Sequence, residues 1–315
     1  MFSVVIPAYN AEKYIKRSVI SVLNQTANFN ELIVVNDGST DRTLDILSEI
    51  NDPRLKILSH ENQGVSITRN RGAKEASSRW ISFLDADDEW FPYHLQTLHE
   101  LIEVNSTSGL VATQSAGTKT PQNRIDRVDM YRFLIDYPGA IQTSTFAVAK
   151  SKFLAIGGFK EGQPLGEDTD LYLRMCENYN CSFIPVETSV YHRGTGGVME
   201  RVQMDSEKKP INCLYDVRYA AGALYNRYKN KGFTDSQAYF INSSINMKLR
   251  QLIISGSFFY IDQTRSLVVG NGNSRRVIWY YISFLNERLL TVFFRIRWLF
   301  KVIYKKSKFQ RFRIK

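Results

Sequence analysis

A chain of 315 residues with 43% hydrophobic and 23% charged side chains can bury a real core, as one large domain or two modest ones, which excludes general disorder. Its three cysteines, Cys176, Cys181 and Cys213, are odd in number and form no C-x-x-C pair, which argues against a disulfide framework or a thiolate zinc site and for a reducing compartment. The net charge of +10 belongs to one end: residues 275–315 carry twelve lysines and arginines against Glu287 alone, so the tail is +11 and the rest of the chain −1.

The first half alternates between two periods. Apolar, β-branched runs at 3–9, 31–35, 55–59 and 80–84 read as strands. Between them, residues 11–26 place Ile15, Val19, Val22, Leu23 and Thr26 on one helical face, and 43–50 and 65–77 are shorter helix candidates. Ser39, Thr40 or Asp41 is expected to cap the helix at 43. Strand–helix–strand alternation with continuous apolar strands predicts an α/β fold, a mostly parallel, Rossmann-like sheet covered on both faces. A mixed region follows, with helices at 92–105 and 168–178 and strands at 110–116, 144–150 and 181–193. No proline follows Pro210 and helical patterns dominate from there, so we divide the chain near 205 into a catalytic region, 1–205, and a helical C-terminal region, 206–315.

In such a sheet, ligands bind outside the carboxyl ends of the strands. The four ends are polar: Pro7-Ala8-Tyr9-Asn10, Asn36-Asp37-Gly38-Ser39, His60-Glu61-Asn62-Gln63-Gly64 and Asp85-Ala86-Asp87-Asp88. Each alone is a common loop; all four on one edge predict a cleft. Asp37 is an acceptor suited to an N–H on a base edge, Tyr9 offers a flat ring, and Arg69 is a fixed cation suited to phosphate. Neither G-x-G-x-x-G after the first strand nor G-x-x-x-x-G-K-[ST] occurs, which excludes dinucleotide and P-loop readings.

The fourth end poses an electrostatic question. Asp85, Asp87, Asp88 and Glu89 have no Lys or Arg beside them in sequence, and like charges about 4 Å apart repel by roughly 4 kcal/mol at an effective dielectric near 20. A metal, a basic side chain from elsewhere in the chain or plain water could answer them; Mg²⁺ or Mn²⁺ arriving with a diphosphate is the expected one, and a solvated acidic turn is the alternative. His60, His94 and His99 fit no zinc spacing and read as surface or packing residues.

The segments SVVIPAYNAEKYI, VVNDGSTD, ENQGVSITRNRG, WISFLDADD and GGFKEGQPLGEDTDLYLRM, in this order between about residues 2 and 193, resemble the successive motifs of family-2 inverting glycosyltransferases of the A-type, nucleotide-diphospho-sugar transferase fold. The resemblance implies a nucleotide-sugar donor, UDP most often, and transfer to a hydroxyl with inversion. It implies that Pro7, Ala8, Tyr9, Asn10 and Asp37 hold the nucleotide, completed by Asn62 and Arg69, with Asp85 near the ribose, Ala86 in the donor site and Asp87 on the metal. Asp168 would be the general base, Glu167 its neighbour on the acceptor side, and His192-Arg193 the closure over the diphosphate, His192 as a further metal ligand. Two positions depart from the family pattern: Thr68-Arg69-Asn70 stands where Ala-Arg-Asn is usual, and a loose Gly194-Thr195-Gly196-Gly197 follows His192-Arg193. On the residues alone, Asp168 serves equally well as a helix N-cap, and as a base at a helix start its carboxylate would be favoured by the dipole.

The basic tail recurs in Ile278, Ile282, Leu285, Leu289, Val292, Ile296, Leu299 and Ile303 at steps of four and three. Such a helix suits an anionic membrane surface, and equally a face packed on the domain or on a second copy in a homo-oligomer. Nucleic acid is not expected, because the near-neutral body does not extend the patch. No basic n-region precedes Pro7 and no charge-free run reaches about 18 apolar residues. The expected enzyme is cytoplasmic and peripheral on the inner face of the membrane, building a polysaccharide or glycolipid on a glycan or lipid-linked acceptor. A sugar-nucleotidyl transferase would want a Gly-rich basic loop where AYNAEKY stands, and a non-catalytic nucleotide-sugar-binding domain would not need both Asp87 and Asp168.

Overall fold

The computed structural model describes residues 1–163, 166–192, 194–195 and 220–255. Arg193, the division near 205 and the basic tail at 275–315 lie outside the described residues.

Eight strands form one sheet: β1 (Phe2–Ala8), β2 (Glu31–Asp37), β3 (Leu55–His60), β4 (Trp80–Phe83), β5 (Glu89–Trp90), β6 (Leu110–Ser115), β7 (Phe146–Ala149) and β8 (Cys181–Val190). Their order is β3-β2-β1-β4-β7-β6-β8-β5. β1 pairs in parallel with β2 and β4, β2 with β3, and β6 with β8, while β7 runs antiparallel between β4 and β6. The carboxyl ends of β1, β2, β3, β4, β6 and β8 therefore share one edge. The expected α/β architecture is present, and the six co-directed strands make it mostly parallel.

Side-chain alternation sorts the core into two layers. Val4 and Ile6 of β1 face α1 (Ile15–Leu23), α2 (Thr43–Ser48) and α4 (His94–Val104). Val5, Ile33 and Val35 face the other side, with α3 (Val65–Glu75), α5 (Met130–Asp136), α6 (Lys150–Ala155) and α7 (Glu167–Asn178). A Cβ on Gly72 of α3 would lie 2.5 Å from Val5 Cγ1, so glycine lets this helix seat directly on β1. β3 departs from the expectation of fully buried strands: it is the sheet edge, with Leu55, Leu58 and His60 half-buried and Lys56, Ile57 and Ser59 exposed.

Past the boundary region lie α8 (Ala220–Tyr228) and α9 (Asp235–Ser255), helical as expected. Leu224, Phe240, Ile241, Ile245 and Leu249 are buried in the same layer as Val5 and Phe83, so these helices extend the core on that face of the sheet. Among the described residues, no helix is long and apolar enough to cross a membrane.

Candidate active site

The nucleotide side of the edge is built by loops bolted to one another. After β2, Gly38 turns at φ +70°, and a Cβ there would meet Asn62 N at 2.7 Å, so only glycine lets the β2 and β3 loops touch. Both carboxylate oxygens of buried Asp37 already accept loop amides, Oδ1 from Gln63 N–H at 2.7 Å and Oδ2 from Gly64 N–H at 3.0 Å. His60 Nδ1 lies 3.4 Å from Oδ1. Asp37 thus fixes the loop carrying Asn62, a role its reading as a base-edge acceptor did not include. After β1, Asn10 adopts φ +49°; its N–H donates to Ser39 Oγ at 3.0 Å and its Oδ1 accepts from Thr40 N–H at 2.8 Å. Asp41 holds the same junction, accepting from Glu12 N–H and Thr43 N–H, each at 3.0 Å. The N-cap of α2 is Arg42, without a side-chain cap bond, so none of the three expected caps takes that position. Pro7 and Ala8 end β1 within the sheet, whereas the Tyr9 ring is 45% exposed above this floor.

The acid loop after β4 is held by donors sequence reading missed. Ser18 Oγ donates to the carbonyls of Ala86 (2.7 Å) and Asp88 (2.6 Å), and Arg17 to the carbonyl of Asp87 at 2.5 Å. Ser144, in the single helical turn Thr143–Thr145 before β7, donates to Asp88 Oδ2 at 2.5 Å and accepts Asp85 N–H at 3.2 Å.

The reading that a divalent ion answers all of these acids is corrected: two of them meet basic side chains from elsewhere in the chain. Arg69 Nη2 donates to Asp85 Oδ1 at 2.6 Å, and Arg17 Nε lies 3.8 Å from Glu89 Oε2. The partners come from α3 and α1, far away in sequence but adjacent at the sheet edge. Asp87 and Asp88 lack such close cations among the described residues: Asp87 Oδ2 accepts from Thr195 Oγ1 at 2.7 Å, and Asp88 Oδ1 from His192 N–H at 3.3 Å. Burial, reinforced by the charge on Asp85, raises the pKa of Asp87 and pushes that of Asp88 up to about 8.

Arg69 itself is also corrected. It is not an open phosphate site: its side chain is 4% exposed, and Nη1 donates to Glu167 Oε1 at 2.8 Å while Nη2 holds Asp85. Its guanidinium carbon sits 5.1 Å from the centre of the Phe159 ring. Burial alone would lower its pKa, but the two carboxylates raise it. Arg69 therefore joins the β4 end to the first turn of α7.

There Gly166 takes the left-handed conformation, φ +72°, and α7 opens with Glu167, Asp168 and Asp170. The dipole does not decide the charge on Asp168: burial, aided by neighbouring Glu167, outweighs Arg69 and the 2.6 Å bond from Thr169 N–H, and the pKa is pushed up to about 6. The structure brings Asp168, Glu167, Arg69 and Asp85 into one charged cluster.

Among the described residues, no three His, Cys, Asp or Glu side chains converge as a metal-binding group. The donors do fit a cation held by one or two protein carboxylates plus ligand oxygens: burial and the charge on Asp85 raise the cost of ionising Asp87, which a divalent ion would relieve. His192 Nε2 is buried without a hydrogen-bond partner among the described residues and lies 3.5 Å from Glu89 Oε2, next to this loop. His94 is a packing residue, buried, stacked on Trp90 and bonded to Thr188 Oγ1 at 2.7 Å.

Comparison with known proteins agrees with this geometry. Residues 3–154 match the model of the glycosyl transferase family 2. The chain carries a family-2 glycosyltransferase domain. It is 40% identical over 98 residues to the uncharacterized glycosyltransferase YibD of Escherichia coli (strain K12), covering 30% of this chain and 28% of that protein. With the putative teichuronic acid biosynthesis glycosyltransferase TuaG of Bacillus subtilis (strain 168), identity is 42% over 93 residues, 29% of this chain and 37% of the relative. With the UDP-Glc:alpha-D-GlcNAc-diphosphoundecaprenol beta-1,3-glucosyltransferase WfgD of Escherichia coli, it is 39% over 109 residues, 34% of this chain and 43% of the relative. The likeness thus spans well under half of each relative. Over 93% of this chain and 91% of the other, the fold is similar to Staphylococcus aureus TarS 1–349 in complex with UDP, at TM-score 0.56 and 20% identity.

Proposed function

We propose that this family-2 domain is a metal-assisted inverting glycosyltransferase that moves a hexose or N-acetylhexosamine from a UDP-sugar to a hydroxyl of a glycan or lipid-linked acceptor, in cell-surface polysaccharide synthesis. The observation that carries this reading is the Arg69 bridge, which ties the acid loop after β4 to the turn bearing Asp168. WfgD, by its name, acts on UDP-glucose, and TarS 1–349 has been seen with UDP-GlcNAc; both support a UDP-sugar here.

The exposed Tyr9 ring offers a stacking face for the base, above loops that Asp37, Asn10 and Asp41 keep in register. Asp87, with Asp85 beside it and His192 on the rim, would hold Mn²⁺ or Mg²⁺, which when bound offsets charge on the diphosphate oxygens. Asp168 takes the proton from the acceptor hydroxyl as its oxygen attacks the anomeric carbon, and the bond to the diphosphate breaks on the opposite face. A pKa near 6 leaves Asp168 mostly ionised at neutral pH yet basic enough to accept that proton. Arg69 holds Glu167 and Asp85 in place. Arg193 would cover the leaving diphosphate, and residues 275–315 would hold the enzyme to an anionic inner leaflet, near a lipid-linked acceptor.

Incubation with a panel of UDP-sugars and Mn²⁺, with product followed by mass spectrometry, tests the reading. Release of UDP and transfer of one sugar are expected; binding without turnover on every donor and acceptor would leave a non-catalytic domain. Deletion of 275–315 should lower recovery with vesicles containing anionic lipid, and unchanged recovery refutes the membrane role.

A further inference from the structure

The turn bearing Glu167 and Asp168 is held by charges that the transfer step does not use. Asp170, two residues on and 2% exposed, faces two cations: Arg174 Nε at 2.7 Å and Nη2 at 2.6 Å from Oδ2, and Arg227 Nη2 of α8 at 3.5 Å from Oδ1. Arg227 also meets Glu177, farther along α7, at 2.6 Å. The Arg174 guanidinium reaches beyond its own helix, donating to the Ile156 carbonyl at 2.9 Å and the Gly158 carbonyl at 2.8 Å. That segment is clamped onto α3 in turn: Asn70 Nδ2 donates to the Phe159 carbonyl and Phe159 N–H to Asn70 Oδ1, both at 2.8 Å. Gly158 sits so close that a Cβ would fall 2.5 Å from Asn70 Oδ1, at a φ of +65° that other residues resist. Asn70 adjoins Arg69, whose bond to Glu167 closes the circuit.

We propose that Arg174 is a positioning residue for the base, resting on the function proposed above: it transmits the placement of α3, and with it Arg69 and Asp85, to the first turn of α7. A ring of polar contacts runs from Arg69 through Glu167, Asp170, Arg174, Gly158, Phe159 and Asn70 back to α3, and Asp168 rides on it. A planar fork is needed at its centre, because one side chain must meet a carboxylate and two carbonyls at once. A lysine keeps the charge but not the fork. Small displacements of a reacting group cost large factors in rate, whereas the Arg174 guanidinium bonds Asp170 and the Ile156 and Gly158 carbonyls and not the loops after β1 and β2.

The decisive variant is Arg174→Lys in the full chain. Its kcat should fall about 10- to 100-fold, with the donor KM and calorimetric UDP affinity within twofold of wild type. Hydrogen exchange should accelerate at the amides of 167–170 and stay unchanged at 65–75. A folded variant with kcat within threefold of wild type overturns the proposal. So does a loss of UDP affinity in step with kcat, or exchange that quickens equally in α3 and α7, since either marks a general structural role. If Arg174→Lys does not fold, Asp170→Asn, which keeps the shape and removes the charge facing Arg174, is held to the same criteria. A wild-type chain inactive on every nucleotide-sugar would refute the proposed function, while the exchange pattern would still decide whether Arg174 couples the two helices.

Discussion

Replacing Asp168 with Asn should make the protein inactive and more stable together. The carboxylate is half-buried, beside Glu167 and within the field of Asp85, and burial is the first cause of its pKa rising from 3.8 to about 6. A group whose folded pKa is raised favours folding fully below its unfolded pKa and loses that contribution as pH climbs through the folded value. Above pH 6, the ionised Asp168 therefore costs the native state free energy. At 1.36 kcal/mol per pKa unit the cost is about 3 kcal/mol, and partial exposure brings it to about 1–3 kcal/mol. Asn can keep the acceptor for Thr169 N–H and carries no charge, so thermal unfolding at pH 8 should move up by a few degrees. The gain should be smaller at pH 5, where the native wild-type residue is largely protonated. In transfer assays kcat should fall about 10²- to 10⁴-fold, the usual contribution of a general base, with UDP affinity by calorimetry nearly unchanged. The wild-type rate should rise with pH through about 6, a limb absent from the variant. Near-normal turnover in Asp168→Asn removes the residue from the mechanism, and a pH-independent drop in melting temperature refutes the electrostatic account.

Arg69→Ala leaves Asp85 and Glu167 without their shared cation; because both retain some exposure, the loss should lie near about 3 kcal/mol, the lower end for breaking a buried pair, read from the urea midpoint. Transfer should be abolished at temperatures where the variant is still folded. Gly38→Ala forces a Cβ against the Asn62 amide at a positive φ, so we expect about 1–3 kcal/mol of destabilisation and weaker UDP binding; wild-type affinity would show that the β2 and β3 loops move independently. Asp87→Ala should remove the Mn²⁺-dependent part of UDP-sugar binding in calorimetry and leave the metal-free part, whereas an unaltered Mn²⁺ response would place the ion elsewhere.

The fold was legible where one period ran uninterrupted. β1, β2 and β4 are buried along their whole length, and their continuous apolar runs announced it; Ile15, Val19 and Val22 line the buried face of α1 as their spacing required. The edge position of β3 was not legible, since neighbours, not composition, decide what covers a strand. The helices α5 and α6, of 7 and 6 residues, are too short for periodicity alone to identify; α2, equally short, was legible from its place between two strands. The strand expected at 144–150 starts only at Phe146, because Gln142 and Thr145 close a helical turn just before it.

The site was legible as a list and not as a circuit. Side chains that hold it in shape bond across long sequence separations: Arg69 to Glu167 over 98 residues and Ser144 to Asp88 over 56. Nothing about an isolated serine in QTSTF marks it as a support of the acid loop. The circuit changes the electrostatic problem that the acids pose. Four carboxylates with no nearby cation would demand a highly charged partner, but Asp85 is matched by Arg69 and Glu89 lies near Arg17. Asp88 is held at both oxygens, Oδ2 by Ser144 and Oδ1 by His192 N–H, and burial raises its pKa. Asp87 is then the carboxylate whose charge calls for a partner, which in the function proposed one divalent ion shared with a diphosphate would supply. Asp87 thus needs only the modest protein contribution, one or two carboxylates, with which Mg²⁺ is ordinarily held beside phosphates.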